Sequence, residues 1–312
     1  MKPFHELPQD GLSPDILRQQ IGSQGYAVVR NLLPTAELRD VLFDVTEILN
    51  RSGWLLPGRD PVERVANRLA ACGDPDPEFK RAYREVFSLE RFHALPHHPR
   101  LKEVMKMIVG ERVLVHPKPI GRLIFPQCER LRVHAHQDYR FMNGDPECFT
   151  VWIPLHDCPT EVGPLQILAG SHRFGFQTHV DENLHVPEIP AGTEIGDEWV
   201  GGNINAGDVL IFHSLTVHAA APNLSDRMRI SLDCRFQDYA RAINPANLAF
   251  SGGSGKSWDE IYRSWRSQDL QYYWKSLPLN LQPSRVEIEH LSRLATSPSM
   301  RARYGRILAQ LS

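Results

Sequence analysis

The first third of the chain carries apolar side chains at helical spacing. From Thr35 onward they recur at i, i+3, i+4 and i+7, which is the pattern of a helix lying on a core. Residues 13–22 predict a shorter helix before it, with a polar cap and a proline in the first turn. Two further helices are predicted over about Pro77–Phe92 and Leu101–Gly110. The run Tyr26–Arg30 predicts one strand among these helices, so the region up to about residue 110 is predicted to be mainly helical.

The pattern changes after Gly110, where short β-branched and aromatic runs alternate with clusters of Gly, Pro, Asn and Asp. About eight of these runs predict strands. They are Arg112–His116, Ile120–Phe125, Arg132–His136, Phe149–Leu155, Leu165–Leu168, Asp208–Phe212, Thr216–Ala219 and Arg229–Phe236. Short strands with turn signals between them are typical of an antiparallel sandwich or jelly roll. The predicted fold class is therefore mainly β with flanking helices.

The segment Gly170–Asn205 is long for a connection in a compact domain, which is typical of a lid or binding loop. After the strands, Ser251–Lys256 is rich in glycine and serine and predicts a flexible hinge. Helical spacing returns in Trp258–Trp265, Val286–Leu294 and Met300–Leu311. We expect one domain over residues 1–312, with a helical part at about 1–110, a jelly-roll core at about 111–240 and a helical extension at about 251–312.

Composition and charge exclude several partners. Apolar residues make up 42% of the chain and charged residues 23%, as in soluble globular proteins. The formal net charge of −2 gives no bulk attraction to nucleic acid or to an anionic membrane surface. No apolar run approaches the ~20 residues that a membrane span needs. We therefore expect neither nucleic acid nor a membrane as a partner.

The five cysteines form no Cys-x-x-Cys pair, and the segment Met1–Pro8 lacks the apolar core of a secretory signal. An odd number of cysteines in this context indicates reduced thiols, not a disulfide framework. We expect a cytoplasmic protein, a setting that also suits a ferrous ion.

The motif His136-Gln137-Asp138 places two metal-binding side chains two residues apart. Because side chains alternate along a strand, His136 and Asp138 are predicted to share one face, with Gln137 pointing away. Taken alone the motif is weak, because a chain with 14 histidines and 37 acidic residues contains such a pair by chance. For the motif alone, a surface strand that ends in a turn is the better explanation.

His218 and Arg229 strengthen the interpretation of His136 and Asp138 as metal ligands. A hairpin symmetric about residues 223 and 224 would place His218 opposite Arg229, and Thr216 opposite Ser231. An imidazole beside a guanidinium is a poor structural pair, but it is sensible if the histidine holds a metal and the arginine holds an anion bound to that metal. Arg227, on the same predicted face, is the alternative for the anion role.

Two imidazoles and one carboxylate on one side of an ion form a facial triad, which favours non-haem iron(II) with open coordination positions. His136, Asp138 and His218 are the predicted ligands. Zinc is the alternative metal, since three N/O ligands also suit a catalytic zinc site. An arginine grips a carboxylate through two parallel hydrogen bonds, which lysine cannot reproduce.

Several motifs in order resemble the phytanoyl-CoA dioxygenase family of iron(II)/2-oxoglutarate oxygenases. The resemblance covers roughly Tyr26–Phe236. It rests on His136-Gln137-Asp138, the run Phe149–Leu155, Val162-Gly163-Pro164-Leu165 with Gly170-Ser171-His172, and Gly207-Asp208-Val209 followed by His218 and, eleven residues on, Arg229.

The resemblance implies a double-stranded β-helix with Fe(II) between its sheets. It implies that 2-oxoglutarate chelates the iron, that Arg229 pairs with its far carboxylate, and that Trp152 lines the co-substrate site. O2 then cleaves 2-oxoglutarate to succinate and CO2 while a substrate carbon is oxidised. Relatives that halogenate replace the ligand carboxylate by a small residue, so Asp138 favours hydroxylation, or a related desaturation, of a small-molecule substrate.

Other polar residues carry weaker predictions. Lys118 and Arg122 are candidates for a second basic contact to the co-substrate. Tyr139, Arg140 and Phe141 follow the metal motif and are candidates for a substrate wall. His134, His172 and His213 are predicted to be structural or to support the site, and His156, His179 and His185 to face solvent. The aromatic residues Trp258, Trp265, Tyr272, Tyr273 and Trp274 are predicted to pack against the core.

Two other functions remain open on the sequence alone. One is a cupin-like metalloenzyme that does not use 2-oxoglutarate, such as an isomerase or a zinc hydrolase. The other is a jelly-roll binding module whose histidines are incidental. The sequence identifies neither the organic substrate nor the oligomeric state.

Overall fold

The computed structural model describes residues 1–7, 12–74, 76–177, 179–181, 186–187, 199–249 and 257–311. Within these ranges the helices are α1 (Pro14–Gln24), α2 (Thr35–Arg51), α3 (Pro77–Phe87), α4 (Glu90–Ala94), α5 (Pro99–Val109), α6 (Tyr139–Met142), α7 (Trp258–Tyr262), α8 (Arg285–Leu294) and α9 (Pro298–Leu311). The strands are β1 (Lys2–Pro3), β2 (Tyr26–Val29), β3 (Val113–Val115), β4 (Ile120–Ile124), β5 (Cys148–Pro154), β6 (Leu165–Leu168), β7 (His179–Asp181), β8 (Val186–Pro187), β9 (Trp199–Gly201), β10 (Val209–His213), β11 (His218–Ala220) and β12 (Arg229–Asp238).

Two sheets pack face to face. The large sheet has the order β2-β10-β5-β12-β3, and β4 also pairs with β12. The small sheet has the order β1-β9-β6-β11. Apolar side chains of the two sheets, among them Trp152 and Leu210 from the large sheet and Leu165 and Ile167 from the small one, form one buried cluster. This is the predicted double-stranded β-helix core.

The large sheet is buried on both faces. Leu210 lies opposite Trp152 and Val28, so the three side chains share the face that meets the small sheet. Alternate residues such as Val151 and Ile211 turn to the other face, where the N-terminal helices cover them in the main hydrophobic core. Strands buried on both sides read as continuous apolar runs, which is how they appear in the sequence.

Among the described residues helix exceeds strand, at 41% against 20%, so "mainly β" describes the core and not the rest of the described structure. The predicted strands appear within one or two residues of their predicted limits, with one exception. Arg132–His136 is not a strand: the chain leaves a tight turn at Glu129–Leu131, and His136 alone makes an isolated bridge to His218. The predicted helix Pro77–Phe92 is two helices, since α3 ends before Ser88 and α4 begins at Glu90.

Gly25 ends helix α1 with a φ of 80°, three residues beyond the predicted end. A Cβ there would lie 2.6 Å from both His172 Nδ1 and Thr216 Oγ1. Thr216 Oγ1 instead donates a hydrogen bond of 2.8 Å to the Gly25 carbonyl. The glycine therefore lets the helix end approach the segment that leads into His218.

The C-terminal aromatic residues pack as predicted. Trp258 and Trp274 are buried, with ring centroids 5.1 Å apart, and both belong to the main hydrophobic core. The predicted hinge Ser251–Lys256 and part of the predicted lid, including His185, lie outside the described residues. Among the described helices, none is long and apolar enough to cross a membrane.

Candidate metal centre

His136, Asp138 and His218 each bring one donor atom to a common point, and the three atoms lie within 4.8 Å of one another. His136 Nε2 is 3.6 Å and His218 Nε2 is 4.0 Å from Asp138 Oδ1. Two metal–ligand bonds of ~2.1 Å span up to ~4.2 Å, so both separations allow a shared ion. All three side chains are buried.

The backbone brings the two histidines together through a reciprocal bridge. His136 N–H donates to His218 O and His218 N–H donates to His136 O, each at 3.0 Å. Asp138 then stands at the start of helix α6, where the chain turns, and Tyr139 N–H donates to Ser214 O. The predicted convergence is therefore present, but a bridge and a turn produce it, not the predicted strand alternation.

Each imidazole has its second nitrogen fixed by a backbone carbonyl. His136 Nδ1 donates to His134 O at 2.8 Å, and His218 Nδ1 donates to Thr216 O at 3.0 Å. Because Nδ1 carries the proton, Nε2 presents its lone pair to the common point. Burial, followed by the neighbouring His136, lowers the pKa of His218 to about 3, so the ring is neutral at physiological pH. Neutral imidazole is the form that binds metal.

Asp138 is held as a carboxylate. Burial disfavours its charged form, but the Arg235 guanidinium and the two imidazoles outweigh burial and hold the pKa of Asp138 well below its ordinary value. Thr150 Oγ1 donates to Asp138 Oδ2 at 2.6 Å, and Arg235 Nη2 lies 3.4 Å from Oδ1. Oδ1 is buried and has no hydrogen-bond partner among the described residues. An unsatisfied buried carboxylate oxygen between two imidazole lone pairs fits a divalent metal ion.

Arg229 is 1% exposed and lies on strand β12, in the interior between the sheets. Its Nη1 donates to Gly163 O at 2.5 Å, while its Nε and Nη2 have no partner among the described residues. Gly163 has a φ of 82°, and a Cβ on it would lie 2.5 Å from Ala221 O, so this contact requires glycine. A buried cation with unused donors fits an anionic ligand.

The predicted pairing of His218 with Arg229 is wrong. His218 on β11 lies opposite Ile167 in the small sheet, whereas Arg229 on β12 lies opposite Ile124 in the large sheet. Ser231 likewise faces Pro154 and Arg122, not Thr216. A chain that crosses from one sheet to the other between residues 220 and 229 cannot form the symmetric hairpin that local turn signals suggested.

Trp152 is fully buried on the same interior face, and its Nε1 donates to Ser231 Oγ at 2.9 Å. Arg122 shares that face, and its Nε donates to Asp233 Oδ2 at 2.7 Å. Arg227, the alternative to Arg229, instead has a half-exposed side chain on the rim of a surface groove of about 780 Å³. Lys118 Nζ donates to Ala246 O at 2.8 Å.

His156 was predicted to face solvent, and this is wrong. It is buried, and its Nε2 accepts a hydrogen bond of 2.9 Å from Ile230 N–H on β12. His134 has an exposed side chain and supports the site through its carbonyl alone. His172 lies in the predicted turn and contacts Gly22 O, and His213 contacts Glu147. The side chain of His179 lies outside the described residues.

Gln137 points away from the metal point, as predicted, and is fully buried. Its Nε2 donates to Leu215 O at 2.6 Å and to Gly175 O at 3.0 Å, and its Oε1 accepts from Gln177 N–H at 2.8 Å. The side chain thus fastens the segment after β6 to the segment before His218.

We expect Gln137→Leu to lower the free energy of unfolding by about 1–3 kcal/mol, because it leaves buried backbone groups unpaired. Urea titration followed by circular dichroism measures this loss. Gln19→Leu, on the exposed side of α1, is the matched control and should change stability by less than about 0.5 kcal/mol. Equal effects of the two substitutions would contradict a fastening role for Gln137.

Three contributors to the site were not identified from sequence: Thr150, Arg235 and Ser231. The register explains why they matter, because Thr150 lies opposite Arg235 and both share the face of Trp152. Period-two alternation from Arg229 along β12 places Ser231, Asp233 and Arg235 on one face, so that signal was present in the sequence.

Comparison with known proteins gives a consistent result. The phytanoyl-CoA dioxygenase (PhyH) family profile matches residues 21–231. The 1-deoxypentalenic acid 11-beta-hydroxylase of Streptomyces exfoliatus is 28% identical over 207 residues, which cover 57% of this chain and 72% of that protein. Phytanoyl-CoA dioxygenase 1 of Oryza sativa subsp. japonica is 30% identical over 109 residues, covering 34% of this chain and 39% of that protein.

Solved structures share the fold. The epimerase SnoN in complex with Fe3+, alpha ketoglutarate and nogalamycin RO matches with a TM-score of 0.55 at 21% identity, covering 78% of this chain and 92% of that one. The alpha ketoglutarate dependent carbocyclase SnoK from nogalamycin biosynthesis matches with a TM-score of 0.51 at 21% identity, covering 77% and 90% of the two chains.

The jelly-roll core and its His-Asp-His cluster define a non-haem Fe(II)/2-oxoglutarate-dependent oxygenase that acts on small molecules. Its co-substrates are 2-oxoglutarate and O2. The chain belongs to the phytanoyl-CoA dioxygenase family.

Proposed function

We propose that this oxygenase hydroxylates a carbon of a small, largely apolar natural product, with His136, Asp138 and His218 as the iron ligands. The observation that carries the proposal is the meeting of three buried donor atoms, one of them an unsatisfied carboxylate oxygen. Hydroxylation is favoured because the carboxylate ligand is present and because a relative at 28% identity is named a hydroxylase. SnoN and SnoK are named for epimerisation and carbocyclisation, so the fold alone does not determine which reaction an enzyme of this fold catalyses.

Arg229 and Trp152 hold 2-oxoglutarate in this proposal. Along the interior face, Thr150 with Arg235 lies next to Asp138, Trp152 lies two residues further on β5, and Arg229 lies beyond it on β12. A dicarboxylate that chelates the metal can therefore extend past Trp152 to the unused Nε and Nη2 of Arg229. We call the path from Asp138 past Trp152 to Arg229 the co-substrate channel. The Trp152–Ser231 hydrogen bond fixes the indole ring as one wall of this channel.

Iron, when bound, would activate O2 for the oxidative decarboxylation of 2-oxoglutarate and the oxidation of a substrate carbon. The protein side chains supply orientation and an apolar entrance. The Phe141 ring lies 5.9 Å from the His136 ring and is 49% exposed. Phe174 and Phe176 are also partly exposed, and Phe176 contacts Tyr139. Exposed aromatic side chains beside a buried polar centre fit an apolar substrate, with Tyr139 and Phe141 as wall residues.

We also propose that residues 1–312 act as one catalytic domain in the cytoplasm. Leu17 from α1 and Trp258 from α7 lie in the same hydrophobic core as the outer face of the large sheet, which supports one domain. All five cysteines are free, as expected for a reducing compartment.

Anaerobic addition of 2-oxoglutarate to the Fe(II)-loaded protein tests the proposal. We expect a visible charge-transfer band to appear, followed by equimolar succinate and CO2 when O2 is admitted. Tight metal binding without the band would indicate a metalloenzyme that does not use 2-oxoglutarate, and a lack of metal binding would indicate a binding module. Zn(II) in place of Fe(II) is the control and should give neither band nor succinate.

A further inference from the structure

The surface groove of about 780 Å³ beside Arg227 contains a buried arginine in its lining. Arg64 is 8% exposed, so it belongs to the floor of the groove and not to its rim. Its Nη1 donates to Met228 O at 2.9 Å, while its Nε is buried without a partner among the described residues. The described residues also give this guanidinium no ion-pair partner. The groove therefore has a buried, unpaired cation at its floor.

Arg64 is in an unfavourable state without a ligand. Its φ of 61° lies in the left-handed region, which residues with a side chain adopt rarely. Burial, followed by the neighbouring Arg227 guanidinium, lowers the pKa of Arg64 to about 10, while Cys158 and Asp157 act in the opposite direction, each with a smaller effect. Arg64 is still charged at neutral pH, and its strongest charged neighbour repels it. An anionic ligand would stabilise such a cation.

The rim of the groove carries charges of both signs. Arg227 Nε lies 3.7 Å from Asp226 Oδ1, and the two side chains are 48% and 73% exposed. Four exposed carboxylates line the groove: Asp40, Asp157, Glu161 and Asp226. They disfavour a ligand with many negative charges, such as a nucleic acid. The groove therefore suits one compact anionic group that reaches the floor.

The charge of that group follows from the two arginines. Arg64 and Arg227 both line the groove and repel each other, so a ligand that neutralises both carries two negative charges. A carboxylate carries one. A phosphate monoester carries nearly two at neutral pH and offers three acceptor oxygens to the guanidinium groups.

One wall of the groove is apolar. Leu42 and Phe43 from α2 line it together with Val62 and Val162, and Phe43 is 52% exposed. A volume of about 780 Å³ is that of a small-molecule site, where apolar walls enclose a few polar groups. An exposed aromatic ring above a cationic floor fits an organic group attached to the anion.

We propose that the surface groove is a second binding site, which takes an organic phosphate monoester. Arg64 and Arg227 hold the phosphate, and the wall around Phe43 covers the organic group. The site is separate from the metal centre, because its described lining includes no iron ligand and neither Trp152 nor Arg229. It is an addition to the proposed oxygenase reaction and does not depend on it.

Calorimetric titration with phenyl phosphate and with phenyl sulfate tests this proposal, since the two anions have similar shape and differ by nearly one charge. The protein is loaded with Ni(II) and saturated with 2-oxoglutarate, so that the interior site is occupied. We expect phenyl phosphate to bind at least about tenfold more tightly than phenyl sulfate. Arg64→Gln should weaken phenyl phosphate at least about tenfold, and Arg64→Lys should restore part of the loss. Arg227→Gln should weaken it about two- to fivefold, as for a partly exposed ion pair.

Phe43→Ala tests the apolar wall. It should weaken phenyl phosphate about three- to tenfold and leave the weaker binding of inorganic phosphate unchanged. Arg18→Gln is the matched control, because Arg18 is an exposed arginine on α1 outside the groove lining, and it should change neither affinity. If Arg64→Gln does not fold, Arg227→Gln and Phe43→Ala decide the matter, since both replace exposed side chains.

Three results would overturn the proposal. One is equal affinity of the wild-type protein for phenyl phosphate and phenyl sulfate. Another is binding of phenyl phosphate that 2-oxoglutarate displaces, because the phosphate would then occupy the metal centre. The third is unchanged phenyl phosphate affinity in folded Arg64→Gln, or in both Arg227→Gln and Phe43→Ala.

Discussion

Asp138→Ala should abolish 2-oxoglutarate turnover, and His136→Ala and His218→Ala should do the same. We expect succinate formation to fall by more than about 100-fold in each variant, beyond the ~10–100-fold that follows loss of a residue supporting a ligand. Each change removes one of three buried donors that meet at one point, so the remaining two cannot hold the open-sided geometry. Succinate release and iron content after desalting are the two measurements.

His134→Ala is the matched control for the ligand series. His134 lies two residues before His136 and has an exposed side chain, and its contribution is a backbone carbonyl that alanine retains. We expect turnover close to wild type. A ligand variant that keeps full iron content and turnover would remove that residue from the metal centre, and a large loss in His134→Ala would show that its imidazole has a role of its own.

Arg229→Gln should raise the 2-oxoglutarate requirement. Loss of one partner of a buried, hydrogen-bonded charge pair costs about 2–5 kcal/mol, which corresponds to at least about a 30-fold higher Kd. The turnover number at saturating 2-oxoglutarate should change far less, because the metal ligands are untouched. Titration of the charge-transfer band gives the Kd directly.

Arg227→Gln discriminates between the two candidate arginines. Its side chain is half-exposed at the groove rim, so we expect no change in the 2-oxoglutarate requirement. If Arg227→Gln has the larger effect, the co-substrate lies outside the interior and the channel past Trp152 is not its site.

Local patterns predicted most of the fold. Apolar runs bounded by turn signals placed β5, β10 and β12 to within one or two residues, because the large sheet is buried on both faces and leaves long apolar runs. Strands β4 and β6 were placed equally closely. The segment Arg132–His136 misled for a physical reason. Its alternation of polar residues with Val133 and Ala135 suits a strand, but among the described residues the segment forms one β-bridge to β11, at His136.

The site shows where local reasoning ends. The ordered motifs shared with the family were enough to predict that His136, Asp138 and His218 meet, although the hairpin proposed for His218 is wrong. The path of the backbone between these residues could not be predicted from local sequence patterns, because His218 and Arg229 lie in different sheets. Thr150 and Arg235 became visible only through the register of β5 on β12, a contact between residues 85 positions apart.

The separation of the two anchors has a mechanical consequence. His218 belongs to the small sheet and Arg229 to the large one, and the sheets otherwise meet through side-chain packing between their inner faces. A dicarboxylate bound to the metal at one end and to Arg229 at the other would link the small sheet to the large sheet. Resistance to heating should then rise more with metal and 2-oxoglutarate together than with the sum of each added alone.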